Sequence, residues 1–183
     1  MNKVLLENTL LSLLKFTPGL GRVQVYKGLI FIDAIHFAYY GKSLTGITYV
    51  KDWYGPVPSY QAANAIKEFN SINITWEAYD AFAQCCHYAK KDPDYSVFAE
   101  KSTLDIIRDV AQFIIKMKAK ELSQLTHDSL YENTDFGEEI PLNLVAKLEV
   151  GTSPWTDTER TDAKNILEEI SASGEIDLSQ FCT

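Results

Sequence analysis

The chain has 183 residues, 46% of them hydrophobic and 12% aromatic, which is enough for one substantial core and too few for two domains to be expected. Its 25 acidic and 17 basic residues give a formal charge of -8, which disfavours nucleic acid as a partner and favours a basic protein. No run approaches the roughly 18 to 20 apolar residues of a membrane span, and no basic segment precedes the first apolar residues, so we expect a cytoplasmic protein.

The first part of the chain predicts two apolar helices. Leucines at helical spacing indicate a helix over residues 2–16, which the Thr-Pro-Gly run at 17–19 ends. A second helix is predicted over residues 22–40, with Gly41 as its C-terminal stop. Because this second helix is apolar on most sides, we expect it to lie at the centre of the domain.

A short strand and a rigid corner are predicted next. Residues 47–51 are rich in β-branched and aromatic side chains, which is typical of a strand. The following segment, 52–58, contains Gly55 and two prolines, whose backbone angles should make a rigid corner. A helix over residues 59–69 is predicted after it.

The middle of the chain predicts a mixture of strand and helix. Residues 72–76 alternate as a strand does, and residues 83–90 are compatible either with its antiparallel partner or with a helix. A turn is expected at 92–94. Residues 102–115 read as a helix with a capped start, and residues 119–127 add one or two further helical turns.

The last part of the chain is more polar. We expect a loop over residues 128–139, followed by a short helix that Ile140 and Pro141 introduce and that reaches about Lys147. A last helix, acidic and weakly amphipathic, is predicted from Asp157 or Thr158 to Ile170.

These elements predict a mainly α fold of the α+β class. We expect a compact helical domain around the central apolar helix, with a small antiparallel β element. Its predicted bounds are residues 1–150, and residues 151–183 are predicted to form a C-terminal helical extension.

Asp33 and His36 are the best candidates for chemistry, because residues three apart on a helix share a face and a carboxylate can orient an imidazole. His127 and Asp128 form a second such pair, and the two pairs together could hold a metal or act as an acid–base couple. The alternative is a structural polar motif of Asp33, His36 and His127, satisfied within the helical core. We favour this structural interpretation and expect no catalytic residue, metal or cofactor.

Nucleophilic catalysis has less support. Cys85 and Cys86 precede His87, but adjacency in sequence does not provide the geometry of a thiolate–imidazole pair. The two cysteines are better explained as small buried apolar residues. With Cys182 they fit neither a disulfide framework nor a zinc site, in agreement with a reducing cytoplasm.

The predicted corner is rich in aromatic residues, which allows two interpretations. They could pack in the core at the junction of strand and helix, or they could form a presented surface, since Tyr and Trp dominate binding hot spots. A rigid corner suits both. The candidate partner-binding residues are Tyr49, Trp53, Tyr54, Pro56, Val57 and Tyr60.

Several separate motifs occur in an order that resembles a known family. They are the run from Lys27 to His36, then Tyr40-Gly41, Thr45-Gly46, Tyr49, the run from Tyr54 to Pro58, the run from Asp92 to Phe98, and the run from Ala119 to His127, which ends in Leu-Thr-His. Over roughly residues 5 to 148 this order resembles the Panacea domain, also called SocA-like. Gly28, Ile30 and Ile32 depart from the usual Leu, Tyr and Ala, and Leu130-Tyr131 stands near an expected Trp.

The resemblance implies an antitoxin. Members of the family are typically encoded beside toxins in bacterial and phage toxin–antitoxin pairs and neutralise them by direct binding. It also implies a role as a proteolytic adaptor, with a protease such as ClpXP as a further partner. The expected partner of this chain is therefore a cognate protein toxin, which its acidic charge predicts to be basic.

Two other functions stay open from the sequence. A metal-dependent or hydrolytic enzyme would use Asp33, His36 and His127. A transcriptional autoregulator would need residues 119–131 to form a helix-turn-helix. The acidic balance and the lack of a basic recognition helix disfavour the second function.

Overall fold

The fold is described from a computed structural model, which covers residues 1–79, 82–127 and 129–142. The elements in chain order are α1 (Lys3–Phe16), β1 (Leu20–Gly21), α2 (Arg22–Tyr40), β2 (Tyr49–Val50), β3 (Val57–Pro58), α3 (Tyr60–Glu68), β4 (Ile72–Tyr79), β5 (Phe82–Ala89), a 3-10 turn (Tyr95–Val97), α4 (Thr103–Ile115), α5 (Ala119–Leu125), α6 (Ser129–Glu132) and β6 (Glu139–Ile140). The fold is mainly helical with small antiparallel sheets, which confirms the predicted α+β class.

Helix α2 is the centre of the domain, as its apolar sequence predicts. It packs against α1, α4 and α5, and most of its residues from Val25 to His36 are buried. Gly28 lies where the helices approach closely, because a Cβ added there would come within 2.9 Å of Leu13 and 3.0 Å of Ile114. The helix ends at Gly41, whose φ of 68° is in the left-handed region that glycine favours.

The described strands form two antiparallel sheets of three strands each, with orders β1-β5-β4 and β3-β2-β6. In the first sheet β4 and β5 pair along their whole length, from Ile72 with Ala89 to Tyr79 with Phe82. Of residues 83–90, which the sequence left open between strand and helix, residues 83–89 therefore belong to a strand, and Lys90 follows its end. In the second sheet Tyr49 is opposite Pro58 on one side and Ile140 on the other.

The end of the predicted domain differs from expectation. Residues 128–139, predicted as a loop, contain α6 and the first residue of β6. Ile140 pairs with Tyr49 in β6, and Leu142, which follows Pro141, is helical, as expected for the helix that Ile140 and Pro141 were predicted to introduce. The loop prediction was wrong at α6 and at Glu139. Glu139 and Ile140 form a strand because pairing with β2, a contact distant in sequence, decides their local conformation.

Several predictions fall outside the described residues. They are the rest of the short helix to Lys147, the helix ending at Ile170, and the extension 151–183 with its boundary at 150. They stay predictions. Within the described residues, none of the helices combines the length and the apolar character that crossing a membrane requires.

Candidate functional site

The predicted corner exists as the connection between β2 and β3, and Gly55 is its tightest point. The Gly55 N–H donates to the Asp52 carbonyl at 3.0 Å, and its φ of 85° is one that other residues rarely adopt. A Cβ at this position would lie 2.4 Å from Thr126 Oγ1 and 2.5 Å from Lys27 Nζ. The corner backbone therefore rests directly on α2 and on the end of α5, with no room for a side chain.

Lys27 supports this corner from inside the protein. Its side chain comes from the central helix and is 1% exposed, and its Nζ donates to the Pro56 carbonyl at 2.9 Å. A buried ammonium needs such partners, because it loses its hydration on folding. This role of Lys27 was not predicted, although a lysine within an apolar helix is the sequence signal for a buried, partnered ammonium.

Asp33 joins the central helix to the segment that precedes the corner. Its carboxylate is fully buried and accepts hydrogen bonds from the Thr45 N–H at 2.8 Å, the Thr45 hydroxyl at 2.5 Å and the Tyr49 hydroxyl at 2.8 Å. Burial raises the pKa of Asp33, and the hydrogen bonds from Thr45 and Tyr49 oppose that rise. Burial also raises the pKa of Tyr49 well above its usual range, so its hydroxyl stays a donor.

His36 does not pair with Asp33, although the two residues share the central helix. Its Nδ1 lies 2.7 Å from the Lys42 carbonyl, and since a carbonyl only accepts, Nδ1 carries the proton. Its Nε2 lies 3.6 Å from a Glu100 carboxylate oxygen, and Glu100 also binds Lys42 at 2.7 Å. The expected orientation of the imidazole by the Asp33 carboxylate was therefore wrong, because each side chain has its own partners in the segment after the helix.

His127 lies beside the corner rather than beside Asp33 or His36. Its ring stacks on Tyr131 with a centroid distance of 4.2 Å and an interplanar angle of 5°. The Tyr131 hydroxyl donates to the Asp52 carbonyl at 2.7 Å, and Lys51 Nζ lies 4.5 Å from the centre of the Tyr131 ring. His127 and Tyr131 thus form a second support for the corner.

The side chains proposed to hold a metal ion do not come together in the part of the chain that the structure describes. No group of three or more His, Cys, Asp or Glu side chains there could hold a metal ion. Asp128, the proposed partner of His127, lies outside the described residues.

The cysteines and His87 occupy the sheet of β1, β5 and β4. Cys86 is buried, Cys85 is half-buried, and both are free thiols. Burial raises the pKa of the Cys86 thiol and lowers the pKa of His87, whose Nδ1 is held 3.1 Å from the Leu20 carbonyl. These shifts oppose formation of the thiolate and imidazolium that a nucleophilic pair would need.

The six candidate partner-binding residues divide between interior and surface. Tyr49 is 1% exposed and Pro56 is also buried, so these two belong to the support of the corner and the predicted surface is corrected accordingly. Trp53 is 76% exposed, and Tyr54 and Tyr60 are also exposed. Val57 is half-buried. Core packing therefore describes Tyr49, and exposure at the surface describes Trp53, Tyr54 and Tyr60, whose role in partner binding stays a prediction.

Phe136 extends this surface, although it lies in a segment that the sequence predicted only as a polar loop. Its exposed ring packs on Trp53 with a centroid distance of 5.0 Å. Lys51 positions the Phe136 turn, since its N–H donates to the Glu138 carbonyl and its carbonyl accepts from the Gly137 N–H, both at 3.0 Å. We call Trp53, Tyr54 and Phe136 the corner surface.

Acidic residues border the corner surface. Asp135, Glu138 and Glu139 are exposed on the segment that carries Phe136, and the half-buried Asp52 directly precedes Trp53. The acidic character of the whole chain is thus present locally, beside the exposed aromatic rings. Such a border attracts a basic surface and repels an acidic one.

Residues 25–130 match the family described as antitoxin SocA-like, Panacea domain. The chain belongs to this family. The match covers more than half of the chain and includes Lys27, Asp33, Gly55 and His127, whereas Phe136 lies beyond it. No curated protein and no solved structure matches the chain.

Membership in the Panacea family supports a general antitoxin role and a toxin as the kind of partner. It also indicates a function other than catalysis. The buried hydrogen bonds of Asp33 agree with this indication, because they hold segments of the fold together.

The raised pKa of Asp33 predicts how stability changes with pH. A carboxyl group whose pKa is higher in the folded state contributes most to the free energy of unfolding below its unfolded-state pKa of about 3.9. That contribution is lost as the pH rises through the pKa of the folded state. We expect the unfolding free energy of the wild type to fall, relative to that of Asp33→Asn, as pH rises above about 4. Urea denaturation of both proteins across this range measures the difference, and a difference that grows in favour of the wild type would contradict the prediction.

Proposed function

We propose that this Panacea domain neutralises a cognate protein toxin by direct binding through the corner surface, with Tyr60 and Val57 as flanking contacts. The observation that carries the proposal is the exposure of Trp53 on a corner whose backbone is hydrogen-bonded on both sides of it, at Asp52 to Tyr131 and at Pro56 to Lys27. Large exposed aromatic side chains are favourable hot-spot residues, since they bury much apolar area at a small cost in side-chain entropy.

Rigidity of the corner supports the same proposal. Lys27 Nζ donates to the Pro56 carbonyl, Gly55 packs so closely that a Cβ would not fit, and the Tyr131 hydroxyl donates to the Asp52 carbonyl. A surface held in its binding conformation loses less conformational entropy when a partner docks. Trp53 is therefore presented in one place rather than on a freely moving loop.

Charge supports a basic toxin. The acidic border at Asp135, Glu138 and Glu139 lies next to the aromatic rings, and the chain as a whole carries -8. Complementary charge accelerates encounter and orients the partner, while the aromatic centre supplies most of the affinity.

We further propose that a protease such as ClpXP is a second partner, to which the bound toxin is delivered. Neither the enzyme nor the autoregulator hypothesis has a comparable observation in its favour among the described residues.

The test is co-expression of the chain with the product of the adjacent gene. We expect rescue of growth and co-purification of the two proteins. The amount of toxin in the cell then distinguishes two modes of neutralisation. If binding alone inactivates the toxin, its level stays constant, and if the bound toxin is delivered to a protease, its level falls in a protease-dependent way. Absence of both rescue and co-purification would contradict the proposal.

Trp53→Ala is expected to weaken toxin binding by about 10- to 100-fold, the range for loss of a hot-spot aromatic residue. Because Trp53 is exposed, its thermal unfolding midpoint should change little. Calorimetric or surface-based titration against the purified toxin measures the affinity.

Trp76→Ala is the matched control, because Trp76 is 73% exposed on the other sheet. At concentrations of antitoxin in the nanomolar range we expect this variant to bind as the wild type does. Equal affinities for wild type and Trp53→Ala would remove the corner surface from the interface.

A further inference from the structure

The edge of the β1-β5-β4 sheet carries a long strand with one side unpaired in the described part of the chain. Strand β4 has eight residues, or about 27 Å of extended backbone, and β5 pairs with only one side of it. The N–H and C=O groups of the other side are a template for pairing with another strand. The strand contains neither lysine nor proline, the residues that usually protect such an edge.

The side chains of β4 alternate strictly between two kinds. Ile72, Ile74, Trp76 and Ala78 share one face, while Asn73, Thr75 and Glu77 share the other. Ile72 is buried at the base of the hairpin, whereas Ile74, Trp76 and Ala78 are exposed. An apolar row thus runs from the core into solvent beside the open edge.

We propose that β4 pairs antiparallel with β4 of a second copy of this chain, about a two-fold axis at Thr75. The two three-stranded sheets would then form one continuous sheet with the order β1-β5-β4-β4-β5-β1. This interface is isologous, since each copy contributes the same strand. It is separate from the corner surface and does not depend on toxin binding.

Self-complementarity of the strand identifies the second copy as the occupant. With Thr75 opposite Thr75, Ile74 lies opposite Trp76, Ile72 opposite Ala78, and Asn73 opposite Glu77. Apolar residues therefore meet apolar residues on one face, which is the favourable arrangement for cross-strand pairs. The one charged residue of the strand, Glu77, meets a neutral amide that can donate to it.

Two alternative registers are less favourable. A shift that places Thr75 opposite Trp76 would continue the apolar face of one copy into the polar face of the other. A register centred on Glu77 would place two carboxylates opposite each other, which is destabilising. The register centred on Thr75 avoids both.

The expected dimer is weak. Two eight-residue edges bury less than the roughly 1,200 Å² of a standard stable interface, so we expect dissociation in the micromolar range or above. Sedimentation velocity of the full chain from about 1 to 500 μM should show a monomer–dimer equilibrium in this range. A monomer at every concentration would overturn the proposal.

Charge exchange at the axis tests the register. Thr75→Lys and Thr75→Glu should each dimerise at least tenfold more weakly than the wild type, because like charges meet across the axis. An equimolar mixture of the two should recover a dimer, because each Lys then meets a Glu. Failure of the mixture to recover a dimer, with both variants folded by circular dichroism, would overturn the register.

A second variant keeps the proposal testable if Thr75 substitutions disturb folding. Trp76→Lys changes an exposed side chain and should also raise the dimer dissociation constant at least tenfold, while Trp53→Ala should leave it unchanged. A dimer that persists in Trp76→Lys, or that is lost in Trp53→Ala, would place the interface elsewhere. A wild type that stays monomeric while Trp76→Lys loses toxin binding would instead assign the edge to the toxin.

Discussion

Asp33→Ala is expected to lower the free energy of unfolding by about 3 to 5 kcal/mol. The carboxylate is the shared acceptor for the Thr45 N–H, the Thr45 hydroxyl and the Tyr49 hydroxyl, all of them buried. Removing it leaves these donors without an acceptor inside the protein, and each unsatisfied buried group costs about 1 to 3 kcal/mol. Urea denaturation followed by circular dichroism measures the loss.

Asp105→Ala is the matched control for this prediction. Asp105 is also an aspartate on a helix, but it is exposed and its partner is Arg108 on the same helix. Surface ion pairs of this kind contribute about 0 to 1 kcal/mol. A loss of less than about 1 kcal/mol for Asp33→Ala, close to that of the control, would mean that the Asp33 hydrogen bonds do not hold the fold together.

Gly55→Ala is expected to lower the free energy of unfolding by about 2 to 4 kcal/mol. Its backbone angle contributes about 1 to 2 kcal/mol of this, because a side chain is strained at a φ of 85°. The rest comes from the new methyl group, which would contact Thr126 Oγ1 and Lys27 Nζ at less than 3 Å. A shift of Lys27 Nζ away from this methyl group strains its hydrogen bond to the Pro56 carbonyl.

Gly137→Ala separates the two contributions. Gly137 has nearly the same backbone angle, 83°, but a Cβ there meets nothing within 4 Å. Only the backbone strain of about 1 to 2 kcal/mol should appear. Equal losses in the two variants would show that contact with Lys27 and Thr126 adds nothing, whereas a larger loss at Gly55 supports the corner as a packed unit. Both losses are read from urea denaturation.

Much of the helical fold could be predicted from the sequence, because the long helices have strong apolar periodicity and clear ends. The stop at Gly41 marks the end of α2 at Tyr40, and the pattern from Ser102 to Ile115 marks α4. The strands β1 and β3 could not be predicted in this way. Each has two residues, which is too short for an alternating pattern, and each exists through its pairing with a distant segment.

The candidate site was predicted in its components and not in their contacts. Residue type and spacing were sufficient to select Asp33, His36 and Trp53. They were not sufficient to show that Asp33 binds Tyr49 while His36 binds the Lys42 carbonyl. A shared helical face brings two side chains near each other, but the segment that packs on that face determines which hydrogen bonds form.

By itself, the sequence determined the central apolar helix, the position of the Gly55–Pro58 bend and the acidic charge, because periodicity, backbone restriction and composition are local properties. Only the tertiary structure decided that Tyr49 is interior, that Lys27 supports the corner, and that Phe136 joins Trp53 on the surface. These outcomes depend on contacts between segments that are far apart in the chain and come together at and beside β2. A local sequence pattern does not contain the free energy of such contacts.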